Sequence, residues 1–193
     1  MIERIKELRE KTGAGMMLCK EALEVSSGDE DKAIIWLRQK GISIADGNSS
    51  KQTNEGVIGS YIHTGGKIGV LIEVLCETDF VARSDEFQEL VKNLGMQIAA
   101  CPSVQYISID EVPSQIIDIE TEIESGKEDL SRKPEQIRSK IVEGRVSKRI
   151  NEMCLLAQPY VKDQSLTIED YIKTISGKLK ENIKIARFTK FTR

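Results

Sequence analysis

Few side chains in this 193-residue chain have the types and spacing that chemistry requires. The single histidine, His63, stands alone, and no Ser, Cys or carboxylate pair lies near a recognisable base. That disfavours nucleophilic and acid–base catalysis, so an enzyme is not expected. Cys19, Cys76, Cys101 and Cys154 are far apart and each sits beside apolar neighbours. They lack the close-paired spacing of a structural zinc site and read as buried thiols in a reducing compartment, so no metal and no cofactor is expected. Gly13-Ala14-Gly15 follows a helix pattern and lacks a Gly-Lys-Ser/Thr ending, which makes it a helix–helix turn rather than a phosphate loop. The most informative segment is Cys76-Glu77-Thr78-Asp79-Phe80-Val81-Ala82-Arg83, with an Asp-Phe pair at a corner between a strand and a helix. On residue type alone Phe80 reads as a core aromatic at that junction, with a binding wedge as the alternative. His63, beside Tyr61, reads as a partly exposed hairpin residue. Met16 and Met17 read as core at helical spacing, although one of the two can face outward.

These residues need elements to hold them. Val70, Ile72, Val74 and Cys76 alternate with Leu71, Glu73, Leu75 and Glu77, which predicts a strand ending near Thr78. Ser84-Asp85-Glu86 predicts a helix start, with a capping hydroxyl and two carboxylates near the positive end of the helix dipole. Thr78 to Arg83 is therefore a short turn. Val57 to His63 and Lys67 to Glu77 form a hairpin around Thr64-Gly65-Gly66. Residues 1–45 predict three helices, the third packing through Ala33, Ile34, Trp36 and Leu37 and ended by Gly41 as a C-cap. Residues 46–54 carry no apolar side chain and read as a linker to a core over 55–193. In that core, Phe87, Leu90, Val91, Leu94 and Ile98 give a helix face ended by Pro102, and Val104-Gln105-Tyr106-Ile107 a short strand. Glu111 to Glu135 holds eight acidic residues against three basic, and Gln136 to Asn151 five basic against one acidic. The two segments are expected to pair as charged helices. A last helix after Thr167 and a last strand over Asn182 to Phe191 complete an α+β fold, in which helices cover an antiparallel sheet.

Glu73-Val74-Leu75-Cys76-Glu77-Thr78-Asp79-Phe80-Val81-Ala82-Arg83 resembles the core signature of translation elongation factor Ts. Leu8-Arg9-Glu10-Lys11-Thr12-Gly13-Ala14-Gly15-Met16-Met17-Leu18-Cys19-Lys20-Glu21-Ala22-Leu23 resembles its amino-terminal one. The likeness continues through Lys140 to Arg145, Leu155 to Asp163 and Asn182 to Phe188, so it covers nearly the whole chain. Leu75 and Leu18 depart from the family pattern, outside the Thr-Asp-Phe-Val segment. The resemblance implies a ubiquitin-associated-like (UBA-like) fold for residues 1–45 and guanine-nucleotide exchange on elongation factor Tu in its GDP form. It implies that Thr78, Asp79, Phe80 and Val81 enter the partner's GTP-binding domain and disturb its magnesium site, while Arg9, Met16, Met17 and His63 grip the same partner. Longer members carry two copies of the core. Here Gly59-Ser60-Tyr61-Ile62-His63 and Thr78 to Val81 share one hairpin, which leaves a surface for a second subunit and makes a homodimer an expectation.

Composition fits a protein partner. With 39% apolar and 31% charged residues, a net charge of −3 and a pI near 5.5, the chain lacks the basic excess of a dedicated nucleic-acid binder. The rival reading is an RNA- or ribosome-associated module built on Lys178 to Arg193, where six basic residues face one acidic and Phe188 and Phe191 offer stacking platforms. A third reading, a ubiquitin-binding module over residues 1–45, lacks any accompanying eukaryotic signalling feature. No apolar run is long enough for a membrane, and Met1 leads directly into a charged amphipathic segment without a signal or transit peptide. The chain is expected to work where it is made. The Cys76 to Arg83 segment and the Glu111 to Arg138 insertion resemble cyanobacterial and plastid members, which makes bacterial cytoplasm or plastid stroma the expected compartment.

Overall fold

Residues 2–130 and 134–193 are described by a computed structural model of the chain. Three helices come first: α1 (Ile2–Thr12), α2 (Met16–Val25) and α3 (Glu30–Asn48). They close on Ile5, Leu8, Cys19, Ala22, Leu23 and Ala33, with Ile34, Trp36 and Leu37 packed against that cluster as their spacing predicts. Gly13 turns the chain between α1 and α2 at φ +67°, a conformation that favours glycine. The Asp29 carboxylate accepts from the Lys32 amide at 3.1 Å and caps α3.

A hairpin follows, β1 (Glu55–Ile62) and β2 (Ile68–Cys76), then a one-turn helix α4 (Asp79–Ala82) and α5 (Asp85–Ala100). Further on come α6 (Ser114–Ser125), α7 (Glu135–Met153), β3 (Pro159–Tyr160), β4 (Asp163–Thr167), α8 (Ile168–Leu179) and β5 (Lys184–Thr192). The chain packs as two compact units, residues 1–95 with 170–193, and residues 96–169. The sequence reading has no such division inside the core. No helix among the described residues is long and apolar enough to cross a membrane.

In the first unit the sheet is antiparallel in the order β1-β2-β5, so the last strand of the chain pairs with the strand that leads into the Asp-Phe corner. Val70, Ile72, Val74 and Cys76 point to the covered face and are buried. Helix α5 comes close there because two glycines permit it: a Cβ on Gly59 would collide with Val91, and one on Gly95 would lie 3.0 Å from Tyr61 Cβ. The other face is open, with Ile58, Ile62, Leu71 and Phe191 exposed around the Glu73–Arg187 ion pair. Ala186 is the extra residue of a bulge where β5 shifts register against Glu73 and Val74.

Helix α3 does not end at Gly41 but runs on to Asn48, so Asp46-Gly47-Asn48 belong to its last turn rather than to a linker. The glycine that packing requires is on the facing helix, and Gly41 presents its bare backbone to it. A Cβ on Gly177 of α8 would meet the Gly41 carbonyl at 2.5 Å and its Cα at 2.8 Å, so α3 and α8 touch backbone to backbone. Gly41 makes that approach and needs no left-handed φ.

In the second unit, α6 and α7 close on Val112, Leu130, Val142, Val146, Ile150 and Met153. The expected charge pairing is present: Arg145 bonds Asp129 at 2.5 Å and lies 3.6 Å from Glu124, and Arg149 lies 3.7 Å from Glu120. The strand expected at Val104 to Ile107 is reduced to a single parallel bridge between Tyr106 and Cys154, because Gln105 and Tyr106 donate to the end of a helix, at Met153 O, rather than to a strand. The β3–β4 hairpin is absent from the sequence reading. Buried Gln97 pins it by accepting from the Val161 amide at 2.9 Å and donating to Pro159 O at 3.1 Å.

Candidate functional site

Thr78 leaves β2 in an extended conformation (φ −128°, ψ 153°), and its hydroxyl accepts from the Val81 amide at 3.3 Å. That cap turns the expected loop into helix α4. The Ala82 amide returns to Thr78 O at 3.1 Å and the Arg83 amide to Asp79 O at 3.2 Å, after which Ser84 Oγ accepts from the Phe87 amide and α5 begins. Four residues in one turn point in different directions. Val81 and Ala82 face inward and are 6% and 4% exposed, whereas Phe80 is 81% exposed. Phe80 is thus not a core aromatic: its neighbours fix the backbone and leave the ring in water. Asp79 forms an exposed ion pair with Arg83 at 3.1 Å, a weak link that a partner can displace without large cost.

The corner is held from far along the chain. Glu181, between α8 and β5, accepts from the Glu77 amide at 3.0 Å, the Thr78 amide at 3.1 Å and the Thr78 hydroxyl at 2.6 Å. In return the Asn182 amide donates to Glu77 Oε1 at 2.7 Å. The Asn182 side chain donates to Ser49 O at 3.0 Å and Lys51 O at 2.7 Å, tying the end of α3 to the same place. Below the corner the Cys76 thiol donates to Thr78 O at 3.2 Å. Burial first, and then the Glu181 carboxylate, push that thiol up to about 11, so it stays protonated and unreactive at neutral pH. Glu181 and Asn182 were missed by sequence reasoning. One signal for Glu181 exists, since it is the one carboxylate in the basic run from Lys178 to Arg193.

The other expected contact residues lie elsewhere. Met16 and Met17 open α2 and are 40% and 75% exposed, so neither is core. Arg9 on α1 is exposed as well. His63 follows β1, exposed, with Nδ1 3.3 Å from the Tyr61 hydroxyl. The register sets Ile62 opposite Gly69 and Glu55 opposite Cys76, so His63 and Thr78 sit at opposite ends of the hairpin. Seven residues of strand separate those ends by roughly 23 Å. The structure therefore does not bring His63 and Phe80 together. Among the described residues no group of three or more His, Cys, Asp or Glu side chains could hold a metal ion.

The sheet also bears on the RNA reading. Phe188 lies opposite buried Ile72 and Phe191 opposite Gly69, neighbours that point to opposite faces of the sheet, so the two rings cannot form one stacking platform. Arg187 is engaged by Glu73 at 2.7 Å.

Comparison with known proteins finds likeness over nearly the whole chain. The elongation factor TS family profile matches residues 38–193. Elongation factor Ts of Prochlorococcus marinus (strain MIT 9301) is 58% identical over 188 residues, 97% of this chain and 86% of that protein. Elongation factor Ts of Synechococcus sp. (strain WH7803) is 56% identical over 188 residues, with the same shares covered. Elongation factor Ts of Rippkaea orientalis (strain PCC 8801 / RF-1) is 58% identical over 189 residues, 98% of this chain and 76% of that protein. Matched by the family profile over residues 38–193 and by these relatives over nearly its whole length, the chain belongs to the elongation factor Ts family.

Proposed function

We propose that this chain is the guanine-nucleotide exchange factor of elongation factor Tu, and that it acts by inserting Asp79 and Phe80 into the partner's GTP-binding domain. Family membership supports the exchange role in protein synthesis. The observation that carries the mechanism is Phe80, 81% exposed on a turn whose flanking residues are fixed. A large ring held in water without packing of its own is a cost to the free protein, recovered when a partner covers it. The magnesium ion in the partner bridges nucleotide phosphates and protein groups, and a small displacement of its support weakens nucleotide affinity sharply. Exchange is then linkage: factor and nucleotide each lower the other's affinity by one coupling free energy, and no covalent bond changes. Phe80 supplies shape and buried area, Asp79 charge and directed hydrogen bonding, and Thr78 and Val81 the frame.

Arg9, Met16 and Met17 add a second grip from the UBA-like domain, residues 1–45, joined to the core over 55–193 through 46–54, of which the first three residues finish α3. His63 makes a third contact at the far end of the hairpin, or reaches a second partner. The open sheet face supports a homodimer, because Ile58, Ile62, Leu71 and Phe191 left in water are the kind of apolar side chains that a second copy covers. Likeness to cyanobacterial relatives supports a bacterial cytoplasm or a plastid stroma as the compartment.

The test is release of a fluorescent GDP analogue from elongation factor Tu at fixed magnesium. The wild-type chain should accelerate release, and Phe80→Ala should lose most of that acceleration, about tenfold or more. Wild-type protein without effect would sink the exchange reading, and full activity in Phe80→Ala would move the mechanism to other contacts.

A further inference from the structure

We propose that Glu181 is a positioning residue for the exchange step, the acceptor that sets the direction in which Asp79 and Phe80 leave the sheet. This rests on the wedge reading above. Phe80 is exposed and finds no direction from packing, so its pose is inherited from the backbone of a single turn. That turn starts at Thr78, and Thr78 is held by one carboxylate through both its amide and its hydroxyl, with the Glu77 amide as the third donor. A charged acceptor holding three donors fixes an angle, because each bond restricts a different rotation of the corner.

Glu181 is itself built into the frame. Helix α8 ends at Leu179, and Lys180 takes a left-handed φ of +61°, an uncommon state for a side-chain-bearing residue that turns the chain back toward the corner. The Ser176 hydroxyl donates to Glu181 O, and Asn182 beside it is buried and donates its amide to Glu77. Glu77 and Thr78 thus hold Glu181 and Asn182 reciprocally, across more than a hundred residues of sequence. The sheet tells the same story, since β2 leads into the corner and β5 leaves from Glu181, side by side. Loss of the carboxylate leaves Val81 and Ala82 buried and the turn present, but frees Thr78 to choose its dihedral angles with water as acceptor. The consequence falls on the direction of Phe80 and not on the area the chain offers its partner.

The experiment is a double-mutant cycle between Glu181→Leu and Phe80→Ala, read as GDP release from elongation factor Tu against factor concentration. Glu181→Leu alone should lower the maximal rate about tenfold while moving the half-maximal concentration less than about twofold, because misplacing a positioned group costs rate rather than grip. Glu181→Gln, whose amide oxygen still accepts from both backbone amides and whose nitrogen can donate to the Thr78 hydroxyl, should keep most of the rate. In the Phe80→Ala background, Glu181→Leu should add less than about twofold, since the group it positions is gone. If Glu181→Leu unfolds the chain, Glu181→Asp, which keeps the charge but draws the carboxylate back by one methylene from its three donors and leaves the Thr78 cap on Val81 intact, is read in the same cycle. Effects that multiply, or a Glu181→Leu protein with the wild-type rate, would overturn the proposal while the wedge reading stands. A Phe80→Ala protein with the wild-type rate would overturn both.

Discussion

Two of the places where this chain pushes large apolar side chains into water are built in opposite ways. At the corner, Phe80 projects from a turn with a side-chain cap, two buried neighbours and a carboxylate bridge to the far end of the sequence. At the α1–α2 turn, Met16 and Met17 project from a helix whose N-cap, Gly15, makes no side-chain bond, just after Gly13 in a left-handed conformation. One ring stands on a held backbone; two thioethers are unbranched and free to adapt. The difference suits the two tasks proposed for them, disturbing a site whose geometry must be met and holding a surface whose area must be covered.

That contrast is local only if both regions stand on one frame. The frame is the contact between Gly41 of α3 and Gly177 of α8, close to Glu181 in sequence. Gly177→Ala drives a Cβ into the Gly41 backbone and should cost about 2 kcal/mol, read as a fall of about 4–8 °C in thermal unfolding. Gly41→Ala should do the reverse. A Cβ there meets nothing closer than Thr174 O at 4.0 Å, and alanine in place of a mid-helix glycine should gain up to about 1 kcal/mol. Destabilisation by Gly41→Ala would mean that α3 ends at Gly41 after all, and that the methionine turn moves independently of the corner.

The next effect separates shape from area. Leucine keeps most of the apolar surface of either residue but not the plane of a phenyl ring. Phe80→Leu should lower the maximal rate of nucleotide release about tenfold, whereas Met17→Leu should leave both rate and half-maximal concentration within about twofold. Equal losses in the two variants would erase the distinction between an aimed ring and an adaptable grip.

The parts of the molecule legible in the sequence are those whose signal is local. The hairpin is read from the alternation at Val70 to Cys76, the first helix–helix turn from Gly13-Ala14-Gly15, and the α6–α7 pair from opposite charge. Phe80 shows where that kind of reading fails, because an aromatic at a strand–helix junction has one local pattern whether it points in or out. Here the burial of Val81 and Ala82 decides, and burial depends on elements distant in sequence. Gly41 carries a helix-stop signal, and only α8 shows that it is a contact. Glu181 is likewise silent until β5 is laid beside β2. The same register places Phe188 and Phe191 on opposite faces and removes the stacking platform that their spacing suggests.

The smallest effect probes why the methionine helix has no cap. Gly15 sits at φ −64° and ψ 146°, open to any residue, and a Cβ there meets nothing within 4 Å. Serine fits that backbone, and its hydroxyl can accept from a first-turn amide of α2, so Gly15→Ser should stabilise the fold by a few tenths of a kcal/mol. Glycine at this position therefore costs stability without a steric reason. Adaptability gives one: a capped first turn holds Met16 and Met17 in fewer poses. Gly15→Ser should then raise the half-maximal concentration for nucleotide release slightly, by less than about twofold, with the maximal rate untouched. A gain in stability with a lower half-maximal concentration would make the methionines a second preorganised element, of the same kind as Phe80, and the two regions would differ in strength alone.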